Sequence, residues 1–370
     1  MPAYAPLGKD DFMVILDSNC LYIRSLRNYL LYYGDYKTVR ELLPAAKKLM
    51  RLLHSFTNEL GLIENPPYPY WLDHARIDRR GANLNLNGHY LGALEDFAEV
   101  LEWLDEEDRD YKERATLLRT SIHDFFWNEE KQLFADALID AKQSLMFSEH
   151  GNAMVLALDI ADDSQKKMVS DQILLDDNAT FIKRKNGMTV VTPAMSYFLH
   201  KGLCEAGNID ASFEMFRNRF DHMLAPESNG TLYEEWWLEG TGRSGELKST
   251  SRSDAQTESC FPPALFAEYL LGVEVVKPGM TEIIISMRKT ALKDIQGVIP
   301  TPQGELVVNW DFENGVLMLD VPSKVIIKVD KESIEREASG QIKVNGKNLS
   351  KEDKMGKYIL VSIGKHQVIF

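Results

Sequence analysis

Two adjacent carboxylates lie among aromatic residues in Gly230-Thr231-Leu232-Tyr233-Glu234-Glu235-Trp236-Trp237-Leu238-Glu239-Gly240. A pyranose offers apolar C–H faces that stack on aromatic rings, while its hydroxyls and anomeric centre call for carboxylates. In an aqueous pocket one such carboxylate takes a proton from water, which is half of an inverting hydrolytic mechanism. The plain alternative is that the tryptophans are core and the glutamates a solvated turn, since aromatic clusters are usually packing. A second loop, Tyr68-Pro69-Tyr70-Trp71-Leu72-Asp73-His74, also joins aromatics to a carboxylate. If both loops open on one end of a helical stack, Trp71, Asp73, Trp236 and Trp237 surround one sugar ring, with Tyr233 and Glu235 as further contacts. Otherwise Trp71 packs over helix ends and Asp73 caps a turn. Asp78-Arg79-Arg80 reads as an ion-paired loop support, and His150, just before a helix, as a hydrogen-bonded structural residue.

The rest of the chain narrows the chemistry. Its 370 residues exceed what one core usually serves, so two domains are expected. With 44% hydrophobic and 26% charged residues the composition is that of a soluble globular protein. A formal net charge of −14 argues against nucleic acid or an anionic membrane as partner, because phosphate binding needs a basic face. A neutral ligand fits better. No apolar run is long enough to span a bilayer, and Met-Pro-Ala-Tyr-Ala-Pro lacks the regions of a signal peptide. No targeting signal is read, which leaves the compartment of a soluble chain open between cytoplasmic and, for a longer parent, periplasmic. Cys20, Cys204 and Cys260 are far apart and lack metal-ligand spacing, so they read as buried thiols. With no metal motif, phosphate-cradling glycine loop or Ser-His-Asp arrangement, neither a metal nor a cofactor is expected.

Positioning the loops falls to helices. Ile15, Tyr22, Leu26, Tyr29, Leu30 and Tyr33 follow helical spacing up to Gly34-Asp35, and Val39 to Leu53 continues at once, which predicts an antiparallel helical hairpin. The plan recurs at Leu91–Leu104 with Ala115–Phe126, from Asn152, at Thr192–Glu205 with Ala211–Met223, and at Pro263–Leu271. Periodicity gives about nine helical segments. Hairpins with long aromatic-rich loops suggest a curved stack or toroid whose concave end gathers the loops. After Gly272 the texture changes to short alternating runs at 282–287, 305–310, 316–321, 324–329, 341–344 and 358–363, which predict an antiparallel β-sandwich. The expected domains are residues 1–274 and 275–370.

In order along the chain, Tyr70-Trp71-Leu72-Asp73, Asn152-Ala153 opening a helix, Val191-Thr192-Pro193-Ala194-Met195, Gly230 to Trp236 and Ser253-Asp254 resemble the bacterial α-L-rhamnosidases. Gly297 to Gly304, followed by Val307-Val308-Asn309-Trp310, looks like the start of their C-terminal β-sandwich. The resemblance implies a mainly α fold with a β domain, an (α/α)6 six-hairpin toroid followed by a small antiparallel β-sandwich, and inverting hydrolysis of terminal α-L-rhamnosides. It puts the family's general base on Glu234.

Three departures stand out. About nine helices are read where the toroid needs about twelve, so the toroid is expected to be incomplete and its exposed helix faces to favour self-association. The family's general acid lies in an Arg-Asp-Arg or Glu-Arg motif followed by Trp and Gly-Asp. Asp78-Arg79-Arg80-Gly81 comes too late in the helix order to be that motif. Gln256 and Glu258 stand where family members often carry His and Trp. These departures keep two alternatives open, a non-catalytic or vestigial carbohydrate-binding fragment and a six-hairpin hydrolase of other sugar specificity.

Overall fold

Apolar residues recurring on a helical period form eight α-helices among the described residues up to Leu224. They are α1 (Leu16–Tyr33) and α2 (Tyr36–His54), followed by three packed pairs, α3 (Leu84–Trp103) with α4 (Arg109–Phe126), α5 (Glu149–Ala157) with α6 (Asp163–Leu174), and α7 (Tyr197–Glu205) with α8 (Ile209–Leu224). The computed structural model describes residues 14–175, 177, 184–226, 230–236, 253, 255–337, 341–349 and 355–370. The chain divides into two compact units, residues 1–27 with 40–261 and residues 28–39 with 262–370.

Side-chain caps start these helices. Asn83 accepts from the Leu86 amide at the head of α3, Ser148 from the Gly151 amide at α5, and Asp162 forms a reciprocal capping box with Gln165 at α6. Burial then sorts the helices into layers. Every residue of α5 is buried, as is α3 from Leu84 through Leu94, and a helix buried on all sides belongs to an inner layer. In α4 and α6 only one stripe is buried, as for an outer layer. Within the inner layer α5 packs against both α3 and α7.

Glycines set how closely these inner helices approach. A Cβ placed on Gly88 of α3 would lie 2.2 Å from Met154 Cγ of α5, and one on Gly202 of α7 would lie 2.5 Å from the Ala153 carbonyl oxygen. Short strands decorate the same unit. β1 (Ala82–Asn83) leads into α3. β2 (Trp127–Asn128) pairs with β3 (Leu133–Phe134), while β4 (Ala137–Ile139) pairs with both β1 and β5 (Lys142–Gln143). Asn83 Nδ2 donates to the Asp78 and Asp136 carbonyls, which joins this strand cluster to the loop before it.

The second unit carries the sandwich. A one-turn α9 (Pro262–Leu265) and a π-turn at Phe266–Leu270 precede β6 (Val273–Val275), β7 (Glu282–Ile285), β8 (Asp294–Thr301), β9 (Gly304–Asp311), β10 (Val316–Val321) and β11 (Ile326–Asp330). After the short α10 (Lys331–Glu335) come β12 (Lys343–Val344), β13 (Lys347–Asn348), β14 (Tyr358–Val361) and β15 (Gly364–Ile369). One sheet runs β13-β12-β15-β10-β9-β8 and the other β14-β11-β7-β6. Alternate residues of both, among them Ile283, Ile327, Val308, Leu319 and Trp310, point into one shared core.

The fold is thus mainly α with a β-sandwich, and it differs from expectation in three details. β7 and β11 pair in parallel, where an all-antiparallel sandwich was read. β8 escapes the pattern because Gly297 and Pro300 interrupt it, and its residues alternate only between exposed and half-buried, as on a sheet edge. Cys20 and Cys204 are buried as expected but Cys260 is exposed, because the turn Thr257–Ser259 buries Ser259 and sends the next residue outward.

The two close glycine approaches predict unequal costs. Gly202→Ala drives a methyl into backbone and should lower unfolding free energy by about 1–3 kcal/mol despite alanine's better helix propensity. Gly88→Ala meets Met154 near the base of its buried side chain, which must turn aside but is not backbone, and should cost less than Gly202→Ala. Urea unfolding of the two variants checks the ordering, and equal losses would contradict it.

Candidate active site

Pro66, Pro67 and Pro69 hold the chain extended before Trp71, because each fixes φ and removes a donor. The loop is then pinned from two sides. Asp17, buried in the first turn of α1, accepts from the Trp71 amide at 3.0 Å and the Leu72 amide at 2.8 Å. Arg79 donates from one guanidinium nitrogen to the Trp71 carbonyl at 2.6 Å and the Asp73 carbonyl at 2.7 Å. Between these clamps Leu72 takes φ 59°, in the left-handed region that a bulky residue adopts only under constraint. Arg80 pairs with Asp78, whose second oxygen also accepts from the Ser144 hydroxyl at 2.6 Å. Asp78-Arg79-Arg80 therefore holds the loop.

Asp73 points inward, 2% exposed. Its Oδ2 contacts His150 Nε2 at 2.5 Å and accepts from the Thr192 amide at 2.9 Å, while Oδ1 accepts from the Thr192 hydroxyl at 2.8 Å and the His74 amide at 2.5 Å. Burial alone would raise its pKa, but His150 and Thr192 outweigh it, and the carboxyl sits below its ordinary range.

Glu234 meets this loop from the other side. Its amide donates to the Ser253 carbonyl at 3.0 Å, and the Gln256 amide returns to the Leu232 carbonyl at 2.9 Å. Its side chain is 13% exposed, and Oε1 lies 3.1 Å from His74 Nε2. The Trp71 indole donates to His74 Nδ1 at 3.4 Å, with the two rings edge to face at 4.8 Å. Trp71, His74 and Glu234 thus form one connected cluster, next to the residue that anchors the loop.

The neighbours expected to contact a sugar sit elsewhere. Asp73 is committed to the interior. Tyr233, Glu235 and Trp236 are 6%, 1% and 1% exposed, so none presents an open face in this conformation. Trp236 donates from its indole to the Val191 carbonyl at 2.8 Å and meets the Phe220 ring at 4.8 Å, in a core shared with Met223 and Tyr233. Trp237 lies outside the described residues, as does Asp254.

Below Trp236 lies a buried ion network. Arg219 of α8 donates to both oxygens of Glu149 at 3.0 and 2.7 Å and to Asp177 at 2.6 Å, and Arg184 donates to Asp177 at 2.9 Å. Glu149 also accepts from the Val191 amide at 3.1 Å. Burial opposes the charge on Glu149, but Arg219 and Arg184 hold its carboxyl below the ordinary range. Sequence reading missed this network. Its one signal was an arginine in the buried stripe Met215, Arg219, Met223 of α8, where a charge requires partners. His74 was also missed, although it follows Asp73 directly. Among the described residues no group of His, Cys, Asp and Glu side chains is placed to hold a metal, and no helix is long and apolar enough to cross a membrane.

No family model and no curated protein matches the chain by sequence. Solved structures match it by fold. A GH78 family rhamnosidase of Bacillus sp. GL1 superposes with a TM-score of 0.72 at 22% identity, over 86% of this chain and 33% of that one. The fold is that of the α-L-rhamnosidases. The Aspergillus terreus α-L-rhamnosidase gives 0.66 at 18% identity, over 95% of this chain and 38% of that one. The Streptomyces avermitilis α-L-rhamnosidase, complexed with L-rhamnose, gives 0.61 at 16% identity, over 96% and 32%. The chain thus spans about a third of the length of these rhamnosidases, and at such identities the likeness is one of fold.

Two outcomes follow from this geometry. Asp17→Ala leaves the Trp71 and Leu72 amides without their acceptor and should cost about 2–4 kcal/mol of stability, since a hydrogen bond to a charged group contributes about 1.5–3 kcal/mol. Wild-type stability in urea would contradict the clamp. The second outcome concerns acid. Burial and the nearby Arg219 push the His200 pKa down to about 3, from 6.5. The unfolded chain therefore binds a proton on His200 that the folded chain refuses, so stability falls as pH drops below about 6.5, by on the order of 1–2 kcal/mol at pH 5. His200→Phe, filling a site already surrounded by Phe216, Phe220 and Phe261, should reduce the pH 5–7 slope of the urea midpoint, leaving the part that the buried His89, pushed down to about 4, contributes with the same sign. An unchanged slope would refute the assignment.

Proposed function

We propose that this chain is the C-terminal part of a rhamnosidase-like glycoside hydrolase, with Glu234 as the general base of inverting hydrolysis of terminal α-L-rhamnosides. The observation that carries this reading is a partly exposed carboxylate on an aromatic loop, paired with His74 beside Trp71, in a chain of rhamnosidase fold. In this reaction Glu234 takes a proton from water as the water oxygen attacks the anomeric carbon, while a general acid protonates the departing oxygen. The two carboxyls of such a pair stand roughly 6.5–9.5 Å apart to admit the water. Asp73 is excluded as that acid by its four hydrogen-bond contacts and by a pKa below the ordinary range. The general acid is not assigned to any residue of this chain.

Within this reading Trp71 offers the aromatic surface nearest the base. Asp73, Tyr233, Glu235 and Trp236 form the wall that fixes the two loops, a supporting role in place of direct sugar contact. The division of the chain near residues 274 and 275 belongs to the same proposal. The helical turns do end close by, at Leu270, but β6 (Val273–Val275) runs across that point and the compact units divide earlier, after Phe261, with residues 28–39 joining the second unit.

A binding-only protein is the second reading, favoured by Gln256 and Glu258 and by the burial of Tyr233 and Trp236. One experiment separates the two. The chain is assayed on p-nitrophenyl α-L-rhamnoside beside a panel of other aryl glycosides, with rhamnose binding followed by calorimetry. Hydrolysis that Glu234→Gln lowers by about 100-fold or more supports the base assignment, and hydrolysis unchanged by that substitution overturns it. Rhamnose binding with no turnover supports the second reading.

A further inference from the structure

The contact between Trp71, His74 and Glu234 has a chemical direction. An indole N–H only donates, so the Trp71 Nε1 contact at 3.4 Å makes His74 Nδ1 an acceptor. A neutral imidazole carries one proton, and it is then held on Nε2, which faces Glu234 Oε1 at 3.1 Å. We propose that His74 is the positioning residue of Glu234, locked by the Trp71 indole into the Nε2–H tautomer that donates to Oε1. The proposal rests on Glu234 being the base.

Three features of the site support it. The ring does not wander, because its backbone belongs to the segment that Asp17 and Arg79 pin and its amide donates to Asp73 at 2.5 Å. The side chains of His74 and Glu234 are 10% and 13% exposed, so their hydrogen bond is only partly open to competition from water. A second proton on Nδ1 would set an N–H against the indole N–H, so the arrangement selects neutral imidazole beside carboxylate. That is the state a base needs before it meets water. The donated hydrogen bond restrains the orientation of the carboxylate. Preorganisation of this kind acts on the reaction step more than on ground-state binding.

The test has a spectroscopic arm and a kinetic arm, both on the full chain. Long-range proton–nitrogen correlation spectra of ¹⁵N-histidine-labelled protein at neutral pH should show His74, assigned by its loss in His74→Gln, as the Nε2–H tautomer. Trp71→Phe should release it to a mixture. A wild-type Nδ1–H tautomer or a charged ring overturns the proposal, whether or not the protein hydrolyses anything. In the kinetic arm His74→Phe should lower kcat about 10–100-fold with KM within about threefold. His74→Gln, whose amide N–H reaches the place of Nε2, should recover most of that loss. Equal losses in both variants, or a change confined to KM, overturn the positioning role. If the wild-type chain turns over no glycoside, the binding-only reading is favoured over the catalytic one, and the tautomer spectrum alone decides whether His74 is locked as described.

Discussion

A single buried carboxylate ties together stretches of chain that lie far apart in sequence. Asp73 reaches His150 at the head of α5 and both the amide and hydroxyl of Thr192 before α7. Taking a charge out of water costs several kcal/mol unless hydrogen bonds replace the lost hydration. That requirement forces the three segments to meet. The loop that carries Trp71 and His74 is therefore set by an interior interaction, although its working side chains lie at the margin of solvent.

The head of α5 serves two supports at once. Glu149 and His150 are consecutive, and they face different partners, Glu149 toward Arg219 and Val191 and His150 toward Asp73. Val191 passes the constraint on, because its carbonyl receives the Trp236 indole. The Glu234 loop and the Trp71 loop are thus both referred to one helix terminus buried from every side. Such a design trades stability for definition. Buried ion groups are seldom more stabilising than apolar packing of the same volume, but they tolerate few alternative arrangements.

Much of the helical architecture was legible because periodicity is a local property. The turn at Gly34-Asp35 and the apolar stripes of α2, α4 and α8 stand in the sequence as they stand in the fold. What escaped depends on contacts between distant segments. Nothing local distinguishes Glu234, which lies beside His74, from Glu235, which is buried, since only the direction of a side chain separates adjacent residues. Tyr233 and Trp236 suggested a sugar platform and are buried in packing, because Phe220 and Met223 of α8 share their core. β8 was hidden for another reason. An edge strand buries too little on either face to enforce a clean alternation.

Leu72 shows how finely the loop is balanced. Its left-handed backbone costs an L-residue roughly 1–2 kcal/mol, and its fully buried side chain returns about 1.5–3 kcal/mol. That side chain plugs the inner wall, beside a small interior cavity shared with His89, His150 and Phe198. Glycine, the residue that the torsion would select, would relieve the backbone and hollow out the wall together. The position thus admits neither the residue its backbone favours nor a β-branched one of similar bulk, and drift there is confined to unbranched apolar side chains of leucine's size.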